Sequence, residues 1–172
     1  GPVVTQLPHL DDASADALRT WLRDPNVLPT LRADCLDGIG GTAHGELAGG
    51  NLSLLASVVG TPQAVRCEGR ILFFEEVAEP AYRIDRLLSQ LQRSGGLRGV
   101  KGVVVGTFTN CPAPASVARC LADWAQRLGV PWAGTFPIGH GPQCRPVGLG
   151  VRYQLDADRG LLRPTETLMQ AH

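Results

Sequence analysis

Apolar residues gather in blocks whose spacing predicts strands and helices in alternation. Residues 70–77 form a continuous apolar run that ends in acid, and residues 100–108 form another around Val103 to Val105, so both predict buried strands. Between these runs, Pro80 begins a segment with helical periodicity. Its apolar residues recur at i, i+3, i+4 and i+7: Ile84, Leu87, Leu88 and Leu91.

The alternation continues on both sides of this unit. Residues 114–128 predict a helix that ends at Gly129, residues 130–136 predict a short strand, and residues 147–162 predict a β-hairpin. Upstream, residues 28–50 predict strands and turns, and Asn51 is the predicted N-cap of a short helix that reaches Val58. Strands that alternate with helices predict an α/β domain whose sheet is parallel at least in part.

The first thirty residues differ from this pattern. Residues 1–8 predict an extended segment, and a helix through Leu22 follows, with Asp11, Asp12 or Ser14 as its N-cap and Pro25 beyond its end. An extended segment followed by a lone helix is typical of the end of a preceding domain. We therefore predict that residues 1–30 are the tail of an N-terminal domain and that residues 31–172 form the domain proper.

The composition excludes several classes of function. Among 172 residues, 16 basic and 16 acidic side chains cancel, so no basic surface for nucleic acid or acidic lipid is predicted. No apolar run approaches the roughly 20 residues of a transmembrane helix, so no membrane association is predicted. The five cysteines are scattered without a C-x-x-C pair. They predict free, buried thiols in a reducing compartment, by default the cytoplasm.

Three acidic residues lie at the carboxyl end of the first buried strand: Glu75, Glu76 and Glu79. Ligands of open α/β sheets bind at the carboxyl ends of strands, which makes these acids site candidates. The same acids would also stabilise the N-terminus of the following helix. Because successive strand residues point to opposite faces, Glu75 and Glu76 are not expected to face the same cleft.

His140 is the best catalytic candidate among the four histidines. The segment Pro137-Ile-Gly-His-Gly-Pro142 places it between glycines after a strand, although a loop histidine is often only a solvated turn residue. A carboxylate and an imidazole together can move a proton in a hydrolytic site. No G-x-S-x-G elbow supplies a nucleophilic serine. No metal-ligand spacing is present either, so neither a metal nor another cofactor is predicted.

An ordered series of motifs resembles the LD-carboxypeptidase family. The series runs Gly49-Gly-Asn-Leu-Ser-Leu-Leu, Gly60-Thr-Pro, Gly69-Arg-Ile-Leu-Phe-Phe-Glu-Glu-Val, Tyr82-Arg-Ile-Asp-Arg86 with Gln90-Leu, Gly106-x-Phe108 with Cys111, and Pro137-x-Gly-His140. The microcin-immunity peptidases are similar to most of the same series.

The resemblance implies the C-terminal, swivelling β/β/α-type domain of a two-domain serine peptidase, with a mixed sheet. The family's triad is Ser-Glu-His. Its glutamate falls on Glu75, with Glu76 as the next choice, and its histidine falls on His140. The serine would lie on the N-terminal domain, which is therefore an expected partner. By itself the chain is expected to be inactive.

The family's reaction removes the terminal D-alanine from cytoplasmic murein tetrapeptides during peptidoglycan recycling, and the family implies a homodimer. Asn51 is a candidate binding residue, and Tyr82 and Arg86 are expected to brace the acidic turn, the segment with Glu75, Glu76 and Glu79. Two other functions stay open. One is a non-catalytic module that binds muropeptide or a partner domain, and the other is an amidopeptidase that detoxifies peptide–nucleotide antibiotics.

Overall fold

A seven-stranded mixed sheet forms the centre of the computed structural model, which describes residue 2 and residues 4–34 and 38–166. The strands are β1 (Leu31–Arg32), β2 (Thr42–Asn51), β3 (Ile71–Val77), β4 (Gly102–Thr109), β5 (Trp132–Ala133), β6 (Arg152–Asp156) and β7 (Leu161–Pro164). The helices are α1 (Asp12–Arg23), α2 (Leu52–Ser57), α3 (Ala81–Arg93) and α4 (Pro114–Leu128). The order across the sheet is β1-β7-β6-β2-β3-β4-β5, so the predicted α/β class with a mixed sheet is confirmed.

Strand β2 connects the antiparallel and parallel parts of the sheet. Its first half pairs antiparallel with β6, from Thr42 opposite Asp156 to Glu46 opposite Arg152. Its second half pairs parallel with β3, from Leu47 opposite Ile71 to Asn51 opposite Glu75. Strands β3, β4 and β5 continue the parallel part, whereas β6 and β7 form the predicted C-terminal hairpin.

The core consists of two apolar clusters separated by the central strands. Because side chains alternate along a strand, Ile71 and Phe73 of β3 belong to the first cluster, and Leu72 and Phe74 belong to the second. Helices α3 and α4 cover the second cluster with Leu88 and Leu91 of α3 and with residues of α4 such as Trp124. Each buried face therefore contains an apolar core of its own.

Two predicted extended segments are wrong in type or extent. Residues 4–9 form a 3-10 helix rather than an extended segment, because the φ that proline fixes suits both conformations. In the predicted strand over residues 130–136, the regular ladder with β4 is limited to Trp132 and Ala133. Beyond it, the Phe136 N–H still donates to the Val105 carbonyl at 2.8 Å.

The N-terminal helix packs on the sheet domain. Trp21 contacts the first cluster, and the backbone N–H of Asp11 donates to the carbonyl of Pro142 at 3.1 Å. The division at residue 30 stays a prediction. None of the helices in the described part of the chain combines the length and apolarity needed to cross a membrane.

Candidate active site

Glu75 and His140 lie side by side at the carboxyl end of the parallel strands. The His140 Nδ1 atom is 2.8 Å from Glu75 Oε2. The Glu75 side chain is 5% exposed and that of His140 is 46% exposed, so the carboxylate is shielded while the imidazole reaches solvent. An ionised carboxylate can only accept hydrogen bonds, which places the imidazole proton on Nδ1 and leaves Nε2 as the basic nitrogen. Such a pair can take up and release a proton at Nε2.

A β-bulge lies opposite Glu75. Phe74 pairs with Val105 and Glu76 pairs with Phe108, so two residues of β4, Gly106 and Thr107, lie opposite Glu75 alone. Bulges of this kind bend the strand that carries the extra residue, here β4. Gly106 also leaves room for the loop, because a Cβ there would collide with the carbonyl of Ile138 and approach the Glu75 Cβ to 3.0 Å.

The loop that carries His140 is tied to β4. The Thr107 N–H donates to the Ile138 carbonyl at 2.9 Å, and the Thr107 hydroxyl donates to the same oxygen at 3.2 Å. Gly139 has φ +127, and a Cβ there would lie 2.6 Å from Thr107 Oγ1 and 3.0 Å from Glu75 Oε2. Glycine is therefore required at this position by both conformation and space.

Glu76 points to the opposite face, as the strand alternation predicts, and holds the start of α2. Its buried carboxylate accepts from Asn51 Nδ2 at 2.9 Å. It also accepts from the backbone N–H and the hydroxyl of Ser53, at 2.8 Å and 2.7 Å, and from the N–H of Val77 at 2.9 Å. The structure thus brings Glu75, and not the alternative Glu76, to His140.

Asn51 uses both ends of its side-chain amide within the chain. Its Oδ1 accepts from the N–H of Leu54 at 3.1 Å, so the predicted N-cap is confirmed, while its Nδ2 donates to Glu76. It lies directly opposite Glu75 in the parallel ladder between β2 and β3. A contact of Asn51 with a ligand stays a prediction.

The acidic turn is braced differently from the expectation. Arg83, not Arg86, pairs with Glu79, at 3.0 Å. The Arg86 guanidinium lies 5.2 Å above the ring of Tyr82. The residues of one helical turn differ in direction by about 100° each, so the contact belongs to another face of α3 than the one the sequence indicates.

Two residues near the histidine loop were missed by the sequence analysis as site residues. Ser14 is completely buried, and its hydroxyl oxygen accepts from the N–H of Cys144 at 3.0 Å. Asp11 contacts the same loop through its backbone. The sequence identifies both only as possible helix caps, and Asp11 is indeed the N-cap of α1. Nothing in local sequence spacing relates them to residues that lie some 130 positions away.

The described cysteines lie where burial disfavours the thiolate. Burial raises the pKa of the Cys67 thiol to about 11, and that of Cys120 to about 11 as well, so these thiols are poor nucleophiles at neutral pH. Cys67, Cys111, Cys120 and Cys144 are free thiols, and all but the half-buried Cys120 are buried. Cys35 lies outside the described residues. Within residues 4–34 and 38–166, no cluster of three or more histidine, cysteine or acidic side chains could hold a metal ion.

The family model of the LD-carboxypeptidase C-terminal domain matches residues 44–155. The chain belongs to this family. A protein of Streptomyces coelicolor named as a carboxypeptidase is 38% identical over 164 residues, which are 94% of this chain and 53% of the relative. The murein tetrapeptide carboxypeptidase of Pseudomonas aeruginosa is 37% identical over 120 residues, 67% of this chain and 39% of that protein. The chain thus spans about half the length, or less, of these relatives.

Two solved structures share the fold. The muramoyltetrapeptide carboxypeptidase from Oxalobacter formigenes superposes with a TM-score of 0.75 at 28% identity, over 89% of this chain and 54% of that structure. The microcin C7 self-immunity protein MccF superposes with a TM-score of 0.74 at 19% identity, over 99% of this chain and 61% of that structure. At that identity the second likeness concerns the fold alone.

Proposed function

We propose that this chain supplies the glutamate and the histidine of a Ser-Glu-His triad in a serine-type LD-carboxypeptidase. The observation that carries the proposal is the 2.8 Å contact between a buried carboxylate and a half-exposed imidazole. An imidazole whose Nδ1 is held by a carboxylate and whose Nε2 is free has the orientation that a serine nucleophile requires. Membership of the family supports the same assignment.

In this mechanism His140 takes the proton of the serine hydroxyl as the serine attacks the scissile carbonyl, and then delivers it to the leaving amine. Glu75 holds the tautomer and stabilises the imidazolium that forms between these two steps. The serine would come from a domain that precedes this one. That domain is then an essential partner, and this chain alone is inactive.

The proposed substrate is a murein tetrapeptide, from which the enzyme removes the terminal D-alanine during peptidoglycan recycling in the cytoplasm. Support comes from the named relatives, a murein tetrapeptide carboxypeptidase and a muramoyltetrapeptide carboxypeptidase. The proposed assembly is a homodimer of the two-domain protein.

The test combines the chain with the part of the Streptomyces coelicolor relative that it does not span and measures D-alanine release from murein tetrapeptide. We expect release by the combined halves, little by this chain alone, and a loss of about 10³-fold or more with His140→Ala. The matched control is His44→Ala, because His44 is exposed on β2, away from Glu75.

Full activity of His140→Ala in the combined protein would refute the triad assignment. Tetrapeptide binding by the chain, with no release under any combination, would instead identify a non-catalytic binding module. Cleavage of a peptide–nucleotide antibiotic in preference to murein tetrapeptide would identify an amidopeptidase.

A further inference from the structure

In the described part of the chain, the buried polar and charged residues are Glu75, Glu76 and Ser14. Glu75 belongs to the candidate active site, and Glu76 holds the start of α2. Ser14 is the third, and it lies on α1, outside the residues 44–155 that the family model matches. A polar group is buried at a cost unless its hydrogen bonds are made, so the partners of Ser14 indicate what its burial serves.

The partners of Ser14 connect α1 to the loop of His140. The Ser14 hydroxyl oxygen accepts from the backbone N–H of Cys144 at 3.0 Å. Its backbone N–H donates to Asp11 Oδ1 at 2.7 Å. The Ser14 side chain is also the first cause of the lowered pKa of Asp11, followed by the Ser14 backbone. The Ser14 hydroxyl therefore binds the loop, while the Ser14 backbone N–H binds the helix cap.

Further contacts join the same two segments. The Asp11 N–H donates to the Pro142 carbonyl at 3.1 Å, and Asp11 Oδ2 lies 4.0 Å from Arg145 Nη2. The Arg145 N–H closes the loop on itself by donating to the Pro137 carbonyl at 2.7 Å. His140 thus lies in a loop that is held from β4 on one side and from α1 on the other.

We propose that α1 is a positioning element for His140, and that Ser14, assisted by Asp11, is the residue through which it acts. This inference rests on the proposed function, since it concerns the geometry of the same pair. Ser14 acts through the backbone and not through a contact with the reacting groups. It fixes the backbone four residues beyond His140, and so restricts the ring to the position where Nδ1 meets Glu75.

The first test uses the 172-residue chain and needs no catalysis. In Ser14→Ala, we expect the Cys144 amide to exchange with solvent about five- to tenfold faster, the effect of one lost hydrogen bond. We also expect the downfield NMR signal of the hydrogen-bonded His140 ring N–H to weaken or disappear. The matched control is Cys67→Ala, which likewise removes one heavy atom from a completely buried side chain but lies in the second cluster.

The second test measures activity in the combined two-domain protein. Ser14→Ala should lower kcat by about 10- to 100-fold, the cost of a misplaced catalytic group. KM should stay near its original value, because Ser14 is not placed at the substrate. Cys67→Ala should leave both constants unchanged. If Ser14→Ala does not fold, Asp11→Ala at its partly exposed position removes the acceptor of the Ser14 N–H and should show the same pattern more weakly.

The outcomes separate this inference from the proposed function. An unchanged Cys144 exchange rate and an unchanged His140 ring signal in a folded Ser14→Ala variant overturn the positioning role, whatever the activity. An equal change of both signals in Cys67→Ala overturns it too, since the effect would then be general destabilisation. Full activity of His140→Ala overturns the proposed function instead, and leaves the structural link between Ser14 and the loop standing.

Discussion

At the scale of single residues, two adjacent glutamates with nearly equal burial have different partners. Glu75 contacts an imidazole that reaches solvent, whereas Glu76 receives four hydrogen bonds from the chain itself. The alternation of side chains along β3 separates them. Substitution of Glu75 by glutamine should therefore reduce activity, whereas substitution of Glu76 should reduce stability.

Glu75→Gln is expected to remove activity while the chain stays folded. Glutamine occupies nearly the same volume but carries no charge to stabilise the imidazolium, and it no longer selects the tautomer. The comparable change in a serine protease triad costs about 10⁴-fold in kcat, and we expect a loss of about 10³- to 10⁴-fold here. D-alanine release by the combined two-domain protein measures it. Glu46→Gln, at a partly exposed ion pair with Arg70, is the control, and an equal loss there would contradict the prediction.

Glu76→Gln is expected to destabilise the fold. The glutamine NH₂ group can accept no hydrogen bond, so at least one of the donors from Asn51, Ser53 and Val77 loses its partner in a buried place. We expect the free energy of unfolding in urea to fall by roughly 3 kcal/mol. Glu68→Gln, at an exposed position, should change it little. A Glu76→Gln variant as stable as the original would show that this network contributes nothing net.

At the scale of elements, the loop after β5 determines where His140 lies relative to Glu75. Its conformation depends on Gly139. This residue has a positive φ and lies in close contact with Thr107 and Glu75. Gly141, two residues on, has ordinary space around its Cα, because a Cβ there would lie 3.5 Å from Thr107 Cγ2. The two glycines therefore provide an internal comparison.

Gly139→Ala is expected to displace His140 from Glu75. The added methyl group would lie 3.0 Å from Glu75 Oε2, and the backbone conformation costs an alanine about 1–3 kcal/mol. We expect activity to fall at least about tenfold. The accompanying loss of stability is measured separately by unfolding in urea. Gly141→Ala should be close to neutral in both assays. Equal behaviour of the two variants would mean that the loop adapts freely.

The N-cap of α1 should give the fold a defined dependence on pH. Hydrogen bonds from the Ser14 side chain and backbone hold the pKa of Asp11 below its ordinary value of 3.8. A lowered carboxyl pKa contributes stability that is fully present above pH 3.8 and is lost as the pH falls through the folded-state pKa. Asp11→Ala should therefore be less stable than the original chain near neutral pH and should approach it in acid. Urea unfolding across this range measures the difference, and a difference that does not change with pH would contradict the assignment.

At the scale of the whole molecule, β2 joins the antiparallel and parallel parts of the sheet, and we expect the two parts to unfold as one cooperative unit. The antiparallel half of β2 borders the first cluster and its parallel half leads to the helices over the second. Since both clusters depend on the same strand, neither is expected to unfold alone. Cys67 reports on the second cluster because it is completely buried there.

Alkylation of Cys67 in the native chain should therefore be at least about 10³-fold slower than in the unfolded chain, in keeping with ordinary domain stability. The alkylation rate of Cys67 and the slow amide exchange of β6, which borders the other cluster, should depend on urea concentration in the same way. Cys120, which is only partly buried, is the internal comparison and should react by local opening. Labelling of Cys67 at lower urea than β6 exchange would show that the two clusters unfold separately.

The sequence by itself determined the element types where apolar spacing is strong, in β3, α3, β4 and α4, and also the C-terminal hairpin, where the alternation is weak. It also determined the family, through motifs in a fixed order, and the cap at Asn51, because capping is a local interaction. For the cap of α1 it left Asp11, Asp12 and Ser14 as candidates, and the structure has Asp11. Its errors fell at residues 4–9, where the φ of proline suits more than one backbone conformation, at residues 130–136, where the regular ladder is shorter than the apolar run, and at Arg86, where a single helical position decides the contact.

Only the tertiary structure showed that Glu75 meets His140, because the contact spans 65 residues of chain and needs the space that the absence of a side chain at Gly106 and Gly139 leaves. It alone connected Ser14 with Cys144, 130 residues apart. Local patterns report the periodicity of one segment, whereas these contacts depend on where two distant segments come to lie. The histidine could be chosen from the sequence, but what holds it in place could not.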